Sequence, residues 1–291
     1  MSHRLPCFFI CALLAANPLF ADPDSGESSA ILTDPEALFA AGRACDKGEG
    51  TPQNLAKAAE YFRKAAEAGH LKSQVNLGTM YVQGRGVRQD FAEANRWLRE
   101  AAGKGDANAM LNLGWMSFKG LGMEPDDASG ADWYRKAAEA GLAEAQSRLG
   151  DLYFWGRNGV EKNVLEAARW LDKAARQGVA TAQNTVGVMI ENGDGMAKDP
   201  EKAVRYFGAA AEQGDPRAQM NFGRMLGEGK GIERDYAAAC YWLAVSVNRG
   251  ELGAQKLLEE LVLRETITVQ KLKEARILAG SFTPKPREPL R

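Results

Sequence analysis

Apolar and polar positions along this chain follow helical spacing, and the pattern restarts about every 36 residues. In the stretch NLGTMYVQGRGVRQDFAEANRWLREAAGKGD (76–106), Ala94, Trp97, Leu98, Ala101 and Ala102 follow the i, i+3, i+4, i+7, i+8 spacing of a buried helical stripe. A first helix precedes it, with a glycine at its middle. That glycine recurs in Ala41-Gly42, Leu77-Gly78, Leu113-Gly114, Leu149-Gly150, Val186-Gly187 and Phe222-Gly223, at spacings of 36, 36, 36, 37 and 36. The extra residue lies in GRNGV (156–160), which replaces the usual Gly-x-Gly. A period this regular predicts an all-α solenoid of six helix pairs.

The residues between the stripes are helix punctuation. Each second helix opens on Asn54, Asp90, Asp126, Asn163, Asp199 or Asp235, the residue types that cap orphan N–H groups. Asp90 with Glu93, and Asn163 with Glu166, predict capping boxes. Pro200 suits a first helical position. Each second helix ends before Gly69, Gly105, Gly141, Gly178, Gly214 or Gly250, where a left-handed residue is expected. The aromatic positions Tyr61, Trp97, Trp133, Trp170, Tyr206 and Trp242 read as core anchors of the second helices. A mid-helix glycine costs about 1 kcal/mol against alanine, so these six imply close helix–helix contact. The Gly-x-Gly is expected to be a tight turn. Phosphate binding has little support, because no Gly-Lys-Ser/Thr follows and no strand precedes.

Counted from the mid-helix glycine at about 100° per residue, the positions one before, two after and three after are apolar, with exceptions at Cys45 and Ser117. The opposite side of the first helices should be solvated, yet in repeats two to four it carries Val75, Val82, Leu111, Trp115, Phe118, Phe154 and Trp155. At both ends of the array it turns charged. An apolar patch with a polar rim marks an interaction site, and aromatic side chains dominate binding energy at such sites. The expectation is a groove for a peptide or helix of a partner protein. The alternative is packing on the neighbouring first helix. Asn76, Asn112 and Asn221, two before the glycine, would bond either a partner backbone or the array itself.

The pattern Leu-Gly-x-x-Tyr-x-x-Gly-x-Gly-Val-x-x-Asp-x-x-x-Ala-x-x-Trp-x-x-x-Ala-Ala-x-x-Gly, from Leu77 to Gly105, resembles the Sel-one-like repeat (SLR) family, relatives of the tetratricopeptide repeat. The resemblance covers roughly residues 36–250. It implies a right-handed α-solenoid superhelix with first helices on the concave side. It also implies adaptor, scaffold or regulatory work, often by exported bacterial proteins. Relatives that bridge their helix pairs with disulfides have paired cysteines that this chain lacks. A penicillin-hydrolase role attributed to some relatives finds no nucleophile motif here.

The repeats read as 36–70, 71–106, 107–142, 143–178, 179–214 and 215–250. Residues 251–281 are expected to form capping helices, and the Pro-rich tail 282–291 to be disordered. Residues 1–21, with Arg4 ahead of LPCFFICALLAANPLFA, read as a cleavable signal cut after Ala21, followed by a polar leader over 22–35. An uncleaved anchor is the other reading. Without residues 1–21 the chain carries 36 basic and 38 acidic residues and keeps two cysteines, Cys45 and Cys240, in the first and last repeats. That is no disulfide framework; free thiols or an intermolecular bridge remain. The balanced charge argues against a nucleic-acid partner.

Catalytic residues are scarce. His70 is the one histidine after residue 21 and reads as a solvated turn residue. There is no His-Glu-x-x-His, Cys-x-x-Cys, Ser-x-x-Lys or Gly-x-Ser-x-Gly. The expectation is therefore a periplasmic or secreted scaffold or regulator, without cofactor, metal, enzymatic activity or membrane insertion. The rivals are a hydrolase acting on cell-wall or β-lactam substrates and a secreted host-interaction factor.

Overall fold

The structure, a computed structural model, describes residues 34–263 and 267–287. The proposed signal and nearly all of the leader lie outside the described residues. The contacts divide the chain after Asp126 into two units. The first contains α1 (Pro35–Lys47), α2 (Leu55–Glu67), α3 (Leu71–Gln83), α4 (Phe91–Gly103) and α5 (Ala107–Lys119). The second contains α6 (Asp127–Glu139), α7 (Ala143–Trp155), α8 (Val164–Arg176), α9 (Ala180–Asn192), α10 (Pro200–Glu212), α11 (Pro216–Glu228), α12 (Tyr236–Asn248), α13 (Leu252–Leu263) and α14 (Val269–Gly280). No strand occurs among the described residues. Within each unit a helix packs on the one that follows it, as stacked pairs require, except at the C-terminal end, where α13 and α14 both pack on α12.

The mid-helix glycines are contact points. A Cβ on Gly42, Gly78, Gly150, Gly187 or Gly223 would lie 2.5–2.8 Å from a side-chain carbon of Phe62, Leu98, Leu171, Phe207 or Leu243. Each of these partners immediately follows the aromatic position of the second helix, and all five are buried. The aromatic positions divide: Trp97, Trp170 and Tyr206 are buried, whereas Tyr61, Trp133 and Trp242 are half-buried. The core of the second unit gathers Leu171, Val186, Met189, Ile190, Phe207 and Met225. That of the first joins Phe39, Phe62, Leu77, Met80 and Trp97.

Asn54, Asp90, Asn163, Asp199 and Asp235 cap with their side chains as expected; Asp90 and Asn163, for example, each accept two backbone N–H bonds. The capping boxes do not form. The Asp90 N–H donates to the Tyr81 carbonyl (3.1 Å) and the Asn163 N–H to that of Tyr153 (2.8 Å). Glu93 and Glu166 are left to pair with Arg96 and Arg169. The same backbone bond, from cap residue to preceding helix, recurs at Asn54, Asp126, Asp199 and Asp235. It closes each interhelix turn and removes the donor a capping box would need.

The second glycine of each Gly-x-Gly serves the stack between repeats. A Cβ on Gly86 would sit 2.1 Å from the Leu55 carbonyl oxygen, and one on Gly231 would sit 2.4 Å from that of Pro200. Both are the first residues of the previous second helix.

Two further expectations are corrected, and one alternative is narrowed. His70 is not a solvated turn residue but the cap of α3. Its Nδ1 accepts from the Ser73 N–H (3.2 Å), Nε2 lies 3.1 Å from Glu36 Oε2, and the ring packs on Phe39. The tail is not disordered over its described part. Residues 282–287 run along second-unit turns: the Lys285 N–H donates to the Glu212 carbonyl (2.8 Å) and Arg287 Nε to that of Gln177 (2.8 Å). Phe282 meets Trp242 edge-on. Cys45 and Cys240 are buried free thiols. Burial pushes Cys240 up to about 11 and raises Cys45 as well. A buried, protonated thiol is a poor nucleophile, so the folded chain does not favour an intermolecular bridge.

Candidate functional site

The expected partner-binding positions lie on the first helices: α3 and α5 in the first unit, α7 and α11 in the second. In the first unit α3 and α5 are in contact. Val75, Val82, Leu111 and Phe118 are half-buried there, and Trp115 is 41% exposed. Asn76 and Asn112 are half-buried. In the second unit Phe154 packs against the core and meets Trp155 edge-on, with ring centroids 4.9 Å apart. Trp155 is 54% exposed, and the Arg157 guanidinium lies 5.3 Å from its ring. The two readings of this face therefore divide by residue. Phe154 packs within the array, while the two tryptophans leave large apolar area open to solvent. Asn221 bonds within the array, its Nδ2 donating to Asn184 Oδ1 at 2.9 Å.

Other polar features of the repeats were not anticipated. Four buried glutamines, four positions before the glycine, tie successive repeats together. Nε2 of Gln74, Gln146, Gln183 and Gln219 donates to the carbonyls of Ala66, Ala138, Ala175 and Ala211 at 3.1–3.2 Å. Gln146 and Gln183 accept in turn from Gln177 and Gln213, each at 2.8 Å. The regular placement of these glutamines was visible, but a glutamine at helical spacing reads as solvated until its carbonyl partner is known.

On α9, Glu191 is buried beneath two cations, Arg224 (2.6 Å) and Lys230 (2.6 Å), and Arg224 also holds Glu228 (3.1 Å). Burial alone would raise this carboxyl, but the hydrogen bonds from Lys230 and Arg224 outweigh it and hold the group below its usual range. Asp46 and Arg85 form the same kind of pair in the first unit, at 2.7 Å. In both, an acid four after the glycine meets the base between the two glycines of the next Gly-x-Gly. That sequence spacing, 39 residues, was a legible signal.

Asp151, one after the glycine of α7, faces a cavity of about 350 Å³ lined also by Glu144, Ser147, Arg148, Thr181 and Arg287. Burial pushes its carboxyl up to about 6, a shift that Arg148 opposes and Glu144 supports. An acid raised in the fold stabilises it most below the ordinary carboxylate range, and the contribution is lost as pH rises through about 6. Asp151→Asn is therefore expected to stabilise the protein by about 2 kcal/mol at neutral pH. The gain should shrink as pH falls below that of the raised carboxyl. Urea unfolding at neutral and at acid pH measures this; no gain at neutral pH would mean that the carboxylate is well solvated.

Among the described residues no cluster of histidine, cysteine or carboxylate could hold a metal ion. No described helix is long and apolar enough to cross a membrane. What the site offers is a ribbed helical surface, with open tryptophans in some repeats and fixed ion pairs in others. Such a surface defines an interaction protein of the helix-pair solenoid class.

Comparison with known proteins narrows the class. The Sel1 repeat model matches residues 35–70, 71–106, 107–142, 143–179, 180–215 and 216–250, and the chain belongs to the Sel1 repeat family. These boundaries fall within one residue of the repeats read from the sequence. Repeats of this family are generally protein–protein interaction modules. Among solved structures, the chain is similar to a Sel1 repeat protein from Oxalobacter formigenes. Identity there is 29%, over 82% of this chain and 98% of that one, with a TM-score of 0.71. It is also similar to a protective antigen present in uropathogenic Escherichia coli strains that displays an SLR fold. That likeness has 27% identity, covers 88% of this chain and 62% of the other, and has a TM-score of 0.59. The chain thus spans less than two thirds of that second protein. No curated protein matches.

Proposed function

We propose that this protein is an exported, periplasmic scaffold or regulator that holds a peptide or helix of a partner protein against its first helices, without a cofactor. The observation that carries this reading is the exposure of Trp115 and Trp155. Both stand on the side of the first helix turned away from the glycine contact, where each leaves large apolar area open to a partner. Aromatic side chains of this kind are the usual anchors of a protein interface. The half-buried Val75, Val82, Leu111 and Phe118 would complete the apolar floor in the first unit. Asn76 and Asn112 are suited to bond a partner backbone; Asn221, already bonded to Asn184, is not. Export rests on the signal-like pattern of residues 1–21.

A crosslinking pull-down from envelope extract tests the reading. The bait is residues 22–291, run beside a Trp115→Ala, Trp155→Ala variant whose helicity is checked by circular dichroism. Loss of each tryptophan is expected to weaken the partner by about 2 kcal/mol, roughly thirtyfold. Equal capture by parent and folded variant would remove these side chains from the site.

A further inference from the structure

A second interaction surface lies at the C-terminal end of the second unit. Eight large apolar side chains are exposed among the described residues, and five belong to the last two helices: Leu252, Leu263, Val269, Ile277 and Leu278, each 59–86% exposed. A solenoid that ends in water needs a terminal repeat with a polar outer face. The last two helices instead leave large apolar side chains open, of which Leu252, Leu263 and Val269 lie on one side.

The sequence explains how that face arises. Ala254-Gln255 of α13 occupies the positions of Ala218-Gln219 in α11, so Glu259 stands where α11 has Gly223. In α11 the absent side chain lets Leu243 of α12 approach to 2.8 Å of a Cβ position. A glutamate forbids that approach to α14. The result is an apolar groove of about 390 Å³, with Leu258, Val262 and Leu263 on one wall, Leu272 on the other, and Glu259 and Arg276 as its charged members. Helical spacing extends the two walls. Leu252, Glu259 and Leu263 share one stripe of α13, and Val269, Leu272 and Arg276 share one of α14.

We propose that this face is a homodimer interface, on which a second copy of the chain packs the same groove about a twofold axis. The charges argue for a self-complementary contact. Each α13 wall carries an acid and each α14 wall a base, so a twofold axis that sets α13 of one copy on α14 of the other makes two Glu259–Arg276 pairs. The described part of the tail does not cover this face. It leaves α14 at Ser281 and, six residues on, Arg287 is bonded to the Gln177 carbonyl beyond α10.

Sedimentation velocity of the full chain across a range of concentrations tests this. The expected result is a reversible monomer–dimer equilibrium. Arg276→Glu alone, and Glu259→Arg alone, should each raise the dissociation constant about tenfold or more, because each creates two like-charge contacts. The combined Glu259→Arg, Arg276→Glu variant should bring it back to within about threefold of the parent. Circular dichroism checks folding; should a charge variant misfold, Leu263→Gln carries the same expectation of weakened dimer. A monomer at every concentration would overturn the proposal, whether the groove is covered by residues 1–33 or by another partner. So would a dimer indifferent to these variants, whose contact must lie elsewhere.

Discussion

Gly231→Val is expected to cost the second unit about 4 kcal/mol, from backbone strain and overpacking together. Gly231 adopts φ +71°, a region that β-branched residues avoid. Its Cβ would also fall 2.4 Å from the Pro200 carbonyl and 2.7 Å from the Glu201 nitrogen. Those are backbone atoms at the start of α10, so no rotamer change relieves the clash. The stack must open between the fifth and sixth repeats. Gly250→Ala is the informative comparison. Gly250 has φ +87° but nothing within 4 Å of a Cβ, so only the cost of a left-handed alanine applies, about 1 kcal/mol. Urea unfolding of both variants separates conformation from contact. Equal losses would show that the close approach at Gly231 does not hold the repeats together.

Phe207→Ala should be about as damaging, at about 3–5 kcal/mol, since it empties a fully buried aromatic site. Its sharper consequence lies in the pair it makes with Gly187, where a Cβ would meet the phenyl ring at 2.7 Å. In the parent, Gly187→Ala gains about 1 kcal/mol of helix propensity but overpacks the ring, for a net loss of about 1 kcal/mol. In the Phe207→Ala background the obstacle is gone, and the same substitution should become stabilising. A double-mutant cycle by denaturant unfolding reads this change of sign. Additive losses would mean that the glycine is not there to admit the ring.

The repeat was legible because its signals are local. The glycine period, the Asx caps and the left-handed glycines after the second helices each depend on a few residues of chain, and the structure places them as read. The errors came where a tertiary neighbour decides. Glu93 and Glu166 had capping-box spacing, but the carbonyls of Tyr81 and Tyr153 had already taken the donors. His70 had no visible partner because Glu36 stands 34 residues away. The tail 282–287 has disordered composition, yet turns on earlier repeats hold it through two backbone carbonyls. The candidate face was legible to one helical position and no finer. Phe154 and Trp155 are adjacent in sequence, and only the packing of α7 decides that the first turns to the core and the second to solvent.

The proposed binding mode has the tryptophans of the first helices meet the partner. Site-specific photocrosslinking in cells tests it most directly, with a photoreactive residue placed at position 115, 155 or 165. Leu165 is the control, an exposed apolar residue on the second helix α8. The expected result is a protein adduct from positions 115 and 155, and none of it from 165. An adduct from 165 alone would place the partner on the second helices and contradict that binding mode.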